Sequence, residues 1–318
     1  MNHILLLGAG FSNNWGGWLA SEVMADVLGR VSDDDGLSGL VHNVASFEDA
    51  LTQVQADFQR QPSATTKARL DRLQGAILGT FGAMNQVFAA MPSMEFSQFR
   101  EFSIQQFLSR FDAIFTLNQD LLFELHYLGM ELHNPRRWNG YHFPAMQPPP
   151  NWQNLPRPDR LGALWRSMPK FQISENLQPI FKLHGSINWR DASNDGELLV
   201  MGANKQAAIG GSKILSWYSD QFRGYLGIPN TRLMVIGYSF SDHHINTIIH
   251  EVWQKSGLKM FIVDPLGRDV LNKFPQAAIR VIDRLEEIQL IGESRRPLRN
   301  TFGGDLLEHG KFMRYFAN

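Results

Sequence analysis

Cysteine is missing altogether from the 318 residues. Disulfides, cysteine-ligated zinc, iron–sulfur clusters and a thiol nucleophile are therefore excluded. An excess of either charge is missing too: 30 Lys and Arg face 31 Asp and Glu, a formal net charge of -1. The strongly basic domain or stripe of a typical nucleic-acid binder is not there, so no direct nucleic-acid contact is evident. Long apolar runs are also lacking. No stretch approaches the roughly 18 apolar residues of a membrane span, and Met1 to Gly10 lacks the basic start of a secretory leader. The expected location is cytoplasmic, with no membrane partner. A chain of this length that is 43% hydrophobic can bury a core without a disulfide or metal staple.

Short apolar runs are what the sequence does contain. Ile4 to Leu7 stops at Gly8-Ala9-Gly10, the pattern of a strand buried on both faces and closed by a glycine turn. Similar runs follow at Ala113–Leu117, Pro179–Leu183, Leu233–Ile236, Met260–Val263 and Ala278–Ile282. Between the first two the period changes to helical. Phe47, Leu51, Val54 and Phe58 form one stripe, Leu70, Leu73, Ile77, Phe81, Met84 and Phe88 another, and Ser46 with Asp49 resembles a capping box. The expected fold is a doubly wound, Rossmann-like α/β protein with about six parallel strands. It spans residues 1–318, with 40–110 as an inserted helical lobe and 265–318 as a C-terminal strand and helix extension. Six prolines between Phe143 and Arg160 argue against helix there and for a semi-rigid linker. The eight Trp residues lie singly, as core and rim, and Arg295, Arg296 and Arg299 form a solvated basic face.

Polar groups gather where the strand runs end. Gly8-Ala9-Gly10-Phe11-Ser12 leaves room for backbone N–H groups to approach a pyrophosphate, although position 13 is Asn13 instead of the third glycine of the dinucleotide fingerprint. Thr116-Leu117-Asn118-Gln119-Asp120 and Lys182-Leu183-His184-Gly185-Ser186 close two further strands, and Asn118 and His184 are expected at exposed strand ends instead of in the core. Taken singly, Asn118 or Asp120 is equally a helix cap and His184 equally a core histidine. Asp242, His243, His244 and His250 lack the i,i+4 pairing of a helical zinc site, so no metal is expected, and a helix start at Ser241 or Asp242 accounts for them.

Taken together and in order, Gly8-Ala9-Gly10-x-Ser12 with Gly16, Thr116-x-Asn118-x-Asp120, His184-Gly185 and Gly237-Tyr238-Ser239-Phe240-Ser241-Asp242 resemble the sirtuin family. The resemblance is to its bacterial sirtuin-like branch of NAD hydrolases in anti-phage defence, and it covers about residues 4 to 265. It implies NAD as substrate, held by Gly8, Ala9, Gly10, Phe11, Ser12 and Gly16 at the phosphates and by Gly237, Tyr238 and Ser239 on the adenosine side. Asp264 would face the ribose hydroxyls, and is equally a turn residue ahead of Pro265. Asn118, Asp120 and His184 are the implied catalytic residues.

The four-cysteine zinc module and the Pro-Asp-Phe-Arg run of sirtuin deacylases are absent. The implied activity is therefore cleavage of NAD to nicotinamide and ADP-ribose without a metal. The alternative is a protein deacylase or ADP-ribosyltransferase. The branch further implies an antiviral effector that works as a homo-oligomer with a separately encoded partner such as a HerA-like ATPase.

Overall fold

The N-terminal apolar run forms β1 (Asn2–Leu7), and all six residues are buried because the strand lies inside a sheet. Each Ile or Leu so placed contributes about 1.5–3 kcal/mol relative to an exposed one. The computed structural model describes residues 1–127, 137–202, 204–272 and 289–317. Along the chain follow β2 (Ala113–Thr116), β3 (Tyr141–His142), β4 (Met146–Gln147), β5 (Trp165–Ser167) and β6 (Gln178–Lys182). Then come β7 (Gly185–Arg190), β8 (Glu197–Leu199), β9 (Thr231–Ile236), β10 (Lys259–Val263) and β11 (Gln289–Ser294).

Seven of these strands build one parallel sheet in the order β11-β10-β9-β1-β2-β6-β3. Leu7 stands opposite both Thr116 and Ile236, Thr116 opposite Lys182, and Ile236 opposite Val263. The carboxyl ends of β2, β1, β9 and β10 thus lie on one rung, with β6 beside them. The chain leaves β1 for β2 on one side and later returns to β9 on the other, which makes this edge the topological switch point of the sheet. This is the Rossmann-like α/β architecture expected of the apolar runs. The expected strand Ala278–Ile282 lies outside the described residues.

Helices Ala20–Arg30, Asp35–Asn43, Phe47–Arg60 and Ala64–Ala90 lie between β1 and β2 and pack on one another. Ser46 Oγ accepts the Asp49 N–H at 3.1 Å and so caps the third of them. The stripe from Leu70 to Phe88 is buried against the core. Among the described residues no helix is long and apolar enough to cross a membrane.

The proline-rich segment is not a linker. It contains β4, a 3-10 turn at Trp152–Asn154 and a short helix at Arg157–Arg160, and β4 joins a second sheet of order β4-β5-β7-β8. The cause is aromatic burial: Phe143 meets Trp165 at 5.3 Å and Trp189 at 5.2 Å, and Trp152 meets Trp165 at 5.3 Å. Three Trp that stand singly along the sequence are thereby brought together in the core. Pro156 precedes the short helix and Pro158 falls in its first turn, where no N–H is required.

Residues 289–317 are fastened to the main sheet. Tyr315 Oη donates to the Arg232 carbonyl at 2.6 Å, and Asn14 Oδ1 accepts the Leu298 N–H at 2.9 Å. Arg295 does lie exposed in surface ion pairs with Asp269 and Glu293. Arg299 is exposed as well, and its guanidinium reaches the Asn14 carbonyl at 3.0 Å.

Candidate active site

Two backbone turns touch at the switch point. The Gly8 N–H donates to the Ile236 carbonyl and the Gly10 N–H to the Gly237 carbonyl, both at 3.0 Å. A Cβ on Gly8 would lie 2.5 Å from Gly237 O, one on Gly10 2.7 Å from Gly237 Cα, and one on Gly237 2.4 Å from Gly10 C. Gly237 also has φ +62, in the left-handed region. Gly8 and Gly10, which read as part of a phosphate cradle, are thus demanded first by contact between the two turns, and both of their amides are already engaged. Ala9, the first residue of the short helix Ala9–Asn13, stays exposed, as does Gly16. Phe11 is buried against Trp15 and Phe123, so its side chain belongs to the core.

Beyond β2, Asn118 Nδ2 donates to Ser12 Oγ at 2.9 Å, and the Asn118 N–H donates to Thr116 Oγ1 at 3.1 Å. The catalytic candidate and the glycine-turn serine are therefore one unit, a link that the linear sequence does not show. Asp120 Oδ1 accepts the Leu122 N–H at 3.0 Å in a turn just ahead of the helix Leu122–His126, whose N-cap is Leu121, so Asp120 is not the helix cap.

Asn118 is only 9% exposed and His184 only 3%. Strand ends of this kind were expected to stand in solvent. The correction has a clear cause: the Val200 N–H bonds the His184 carbonyl at 2.9 Å and Gln119 Nε2 reaches the Val200 carbonyl at 2.5 Å, so the segment after β8 covers both strand ends. Gly185 makes that cover possible. It has φ +71, and a Cβ there would fall 1.9 Å from Leu198 O.

His184 Nε2 lies 3.0 Å from His244 Nε2, on the first turn of the helix His243–Ser256. Burial, with smaller contributions from Lys205 and His244, pushes His184 down to about 3, against the pull of Asp242. The imidazole is neutral at physiological pH. Asp242 begins that helix as expected, yet its carboxylate does not cap it: Oδ1 accepts from Lys205 Nζ at 2.8 Å, and Lys205 also pairs with Glu48 at 2.9 Å. Burial works against the Lys205 ammonium, but Asp242 and Glu48 outweigh it and hold its pKa above the ordinary value. Helical spacing gives Asp242 and His244 no metal-ligand pairing. The structure brings them within 4.8 Å of His184, sixty positions from His244.

Beneath the edge, Lys182 Nζ donates to Glu124 Oε1 at 2.6 Å, Ser186 Oγ at 2.7 Å and the Asp120 carbonyl at 2.5 Å. All of this is buried, and burial raises Glu124 despite Lys182. The one signal available from the sequence was a lysine ending an apolar strand run.

On the far side of Gly237, the buried Tyr238 ring turns inward and its hydroxyl donates to Asn246 Oδ1 at 2.9 Å. Only its backbone remains for a ligand. Ser239 is half-buried, its hydroxyl 2.9 Å from that of Ser241. Phe240 has φ +57, an unfavourable conformation for an aromatic residue that Asn246 Nδ2 holds by bonding its carbonyl at 2.7 Å. Asp264 follows β10 next to this turn, where Gly237 N–H meets the Val263 carbonyl at 2.9 Å. Its Oδ1 accepts the Leu266 N–H at 2.9 Å, a turn contact.

A parallel sheet with touching glycine turns at its switch point and polar side chains past two adjacent strands defines a Rossmann-like α/β protein of the nucleotide-binding kind. The chain belongs to the SIR2-like domain family, whose profile matches residues 112–282, more than half its length. SIR2-like domains use NAD as substrate, which sets the chain among NAD-dependent enzymes at the level of the family. A search of the curated proteins returns no match.

Proposed function

We propose that this chain is an NAD glycohydrolase that cleaves NAD to nicotinamide and ADP-ribose. The observation that carries the reading is the Asn118–Ser12 pair beside His184. Thr116 faces Lys182 across β2 and β6, and Asn118 and His184 each stand two residues past that rung. An amide and a neutral imidazole thus follow the ends of two adjacent parallel strands. The Gly8–Ser12 and Gly237–Ser239 turns and Asp264 would hold the dinucleotide.

In the reaction the bond between nicotinamide nitrogen and anomeric carbon breaks, and its electron pair leaves on neutral nicotinamide. A water oxygen bonds the anomeric carbon and releases its proton to solvent. The leaving group is already cationic in NAD, so the protein's task is to stabilise an oxocarbenium-like sugar and admit water. Asn118, oriented by Ser12, holds the ribose or the water. Neutral His184 accepts a hydrogen bond from a ribose hydroxyl, and Asp120 supports the backbone that carries Asn118.

Purified protein incubated with NAD, with and without an acetyl-lysine peptide, tests this reading. Nicotinamide and ADP-ribose formed in equal amounts and independently of peptide support it. O-acetyl-ADP-ribose or ADP-ribosylated protein as the main product overturns it in favour of transfer to a protein nucleophile. The absence of cysteine argues for water, because no four-cysteine module can form the deacylase peptide surface.

We further propose that the enzyme is an antiviral effector, a homo-oligomer controlled by a separately encoded partner such as a HerA-like ATPase. Uncontrolled NAD loss is toxic, so such an activity calls for a partner that restrains it. Light scattering on the isolated chain and co-purification with the product of the neighbouring gene test this. A monomer with full NAD turnover and no associating neighbour overturns it.

A further inference from the structure

We propose that His184, His244 and Asp242 form a binding site for a transition-metal dication, with Zn2+ as the ion of best fit, and that filling the site shuts off NAD cleavage. The two imidazole Nε2 atoms are 3.0 Å apart. Nitrogens sharing a tetrahedral zinc at its usual bond length stand about 3.3 Å apart, so a few tenths of an ångström separate the present geometry from ligation. The third donor is an Asp242 carboxylate oxygen, and no pair among the three ligating atoms is further apart than 4.8 Å.

The surroundings suit a cation. Lys205 engages Asp242 through Oδ1 and is itself anchored on Glu48. This is the outer contact that orients a ligating carboxylate. Two carboxyl groups stand around one ammonium, so the lysine alone does not offset both. His184 is buried while His244 and Asp242 are half-buried, which closes the site on one side and leaves an entry path on the other. Two imidazoles and one carboxylate form a donor set that favours zinc, copper or nickel over magnesium or calcium. A water would complete four-coordination.

The shut-off rests on the proposed NAD hydrolysis: a metal on His184 holds the imidazole that would meet the ribose and sets a positive charge beside the oxocarbenium-like sugar. The site itself does not depend on that reading. Full-length protein is stripped with a chelator and titrated with ZnCl2 by calorimetry. One equivalent of zinc per chain is expected, with no binding of MgCl2 under the same conditions. His244→Ala and Asp242→Asn are each expected to weaken zinc binding at least tenfold with unchanged circular dichroism. No zinc uptake, or uptake equal to wild type in both variants, overturns the site.

Nicotinamide release by wild type is expected to fall in proportion to zinc occupancy, and zinc bound at full turnover overturns the shut-off. Stripped protein that binds zinc but never releases nicotinamide would refute the proposed hydrolase while the calorimetry still upholds the metal site.

Discussion

Asn118 donates a 2.9 Å hydrogen bond from its side-chain amide to the Ser12 hydroxyl across 106 positions of sequence, and both residues are buried. The amide is held in one orientation before any ligand arrives, and its remaining donor and its carbonyl are left for substrate. Asn118→Ala is expected to reduce NAD turnover by about 100-fold or more, the scale on which oriented polar groups act on a charged transition state. Ser12→Ala removes only the orienting bond. It is expected to cost about tenfold in kcat, equivalent to one hydrogen bond. Equal losses in the two variants would show that Ser12 also touches substrate. Thermal melting of each protein controls for folding.

His184 makes a prediction about pH. Its pKa is pushed from 6.5 to about 3 in the folded protein, chiefly by burial, and His142 is pushed by burial to about 4. Between pH 6.5 and these values the unfolded chain binds protons that the folded chain refuses. Stability is therefore complete above about pH 6.5 and falls as the pH drops toward 3, by at most about 1.4 kcal/mol per pH unit for each histidine. Urea denaturation at several pH values is expected to show this decline, and His184→Asn to make it shallower. An unchanged slope in that variant would place the acid sensitivity elsewhere.

The contact between the two glycine turns is a steric demand. In Gly237→Ala a methyl group would enter at 2.4 Å from the Gly10 carbonyl carbon, at a φ that costs an L-residue about 1–2 kcal/mol before any clash. The turns must part. Lower Tm together with loss of NAD binding is the expected outcome, whereas Gly75→Ala, where nothing lies within 4 Å, is expected to leave both intact. Calorimetric titration of NAD alongside melting curves separates the two effects.

Lys182 and Glu124 form a buried ion pair under the site. Removing only the carboxylate, as in Glu124→Leu, leaves an uncompensated ammonium and is expected to cost about 3–5 kcal/mol. Glu124→Leu with Lys182→Met is expected to recover much of that loss, because two buried charges are then replaced by apolar volume. A double variant no more stable than the single one would assign the cost to lost packing near Phe143 and Trp189, which flank Lys182 at 5.7 and 5.8 Å.

Local physics made β1, β2, β6, β9 and β10 legible in the sequence. A run such as Ile4 to Leu7 closed by glycine has no stable place except between two other strands, and Ser46 with Asp49 announces a helix start within four residues. The same reasoning put Asn118 and His184 at strand ends, since strand register alone carries them there. Partnership between distant side chains is a different matter, because periodicity records which face a residue takes and not what it meets. Only the tertiary structure set His244 against His184, led Lys205 to Asp242 and Glu48, turned the Pro144 to Pro158 segment into part of a second sheet, and buried a strand edge expected to be open. Each outcome depends on how separate segments close on one another in space. Gly8, Gly10 and Gly237 show the boundary: the sequence determined that the turns need glycine, and the fold decided that the first reason is each other.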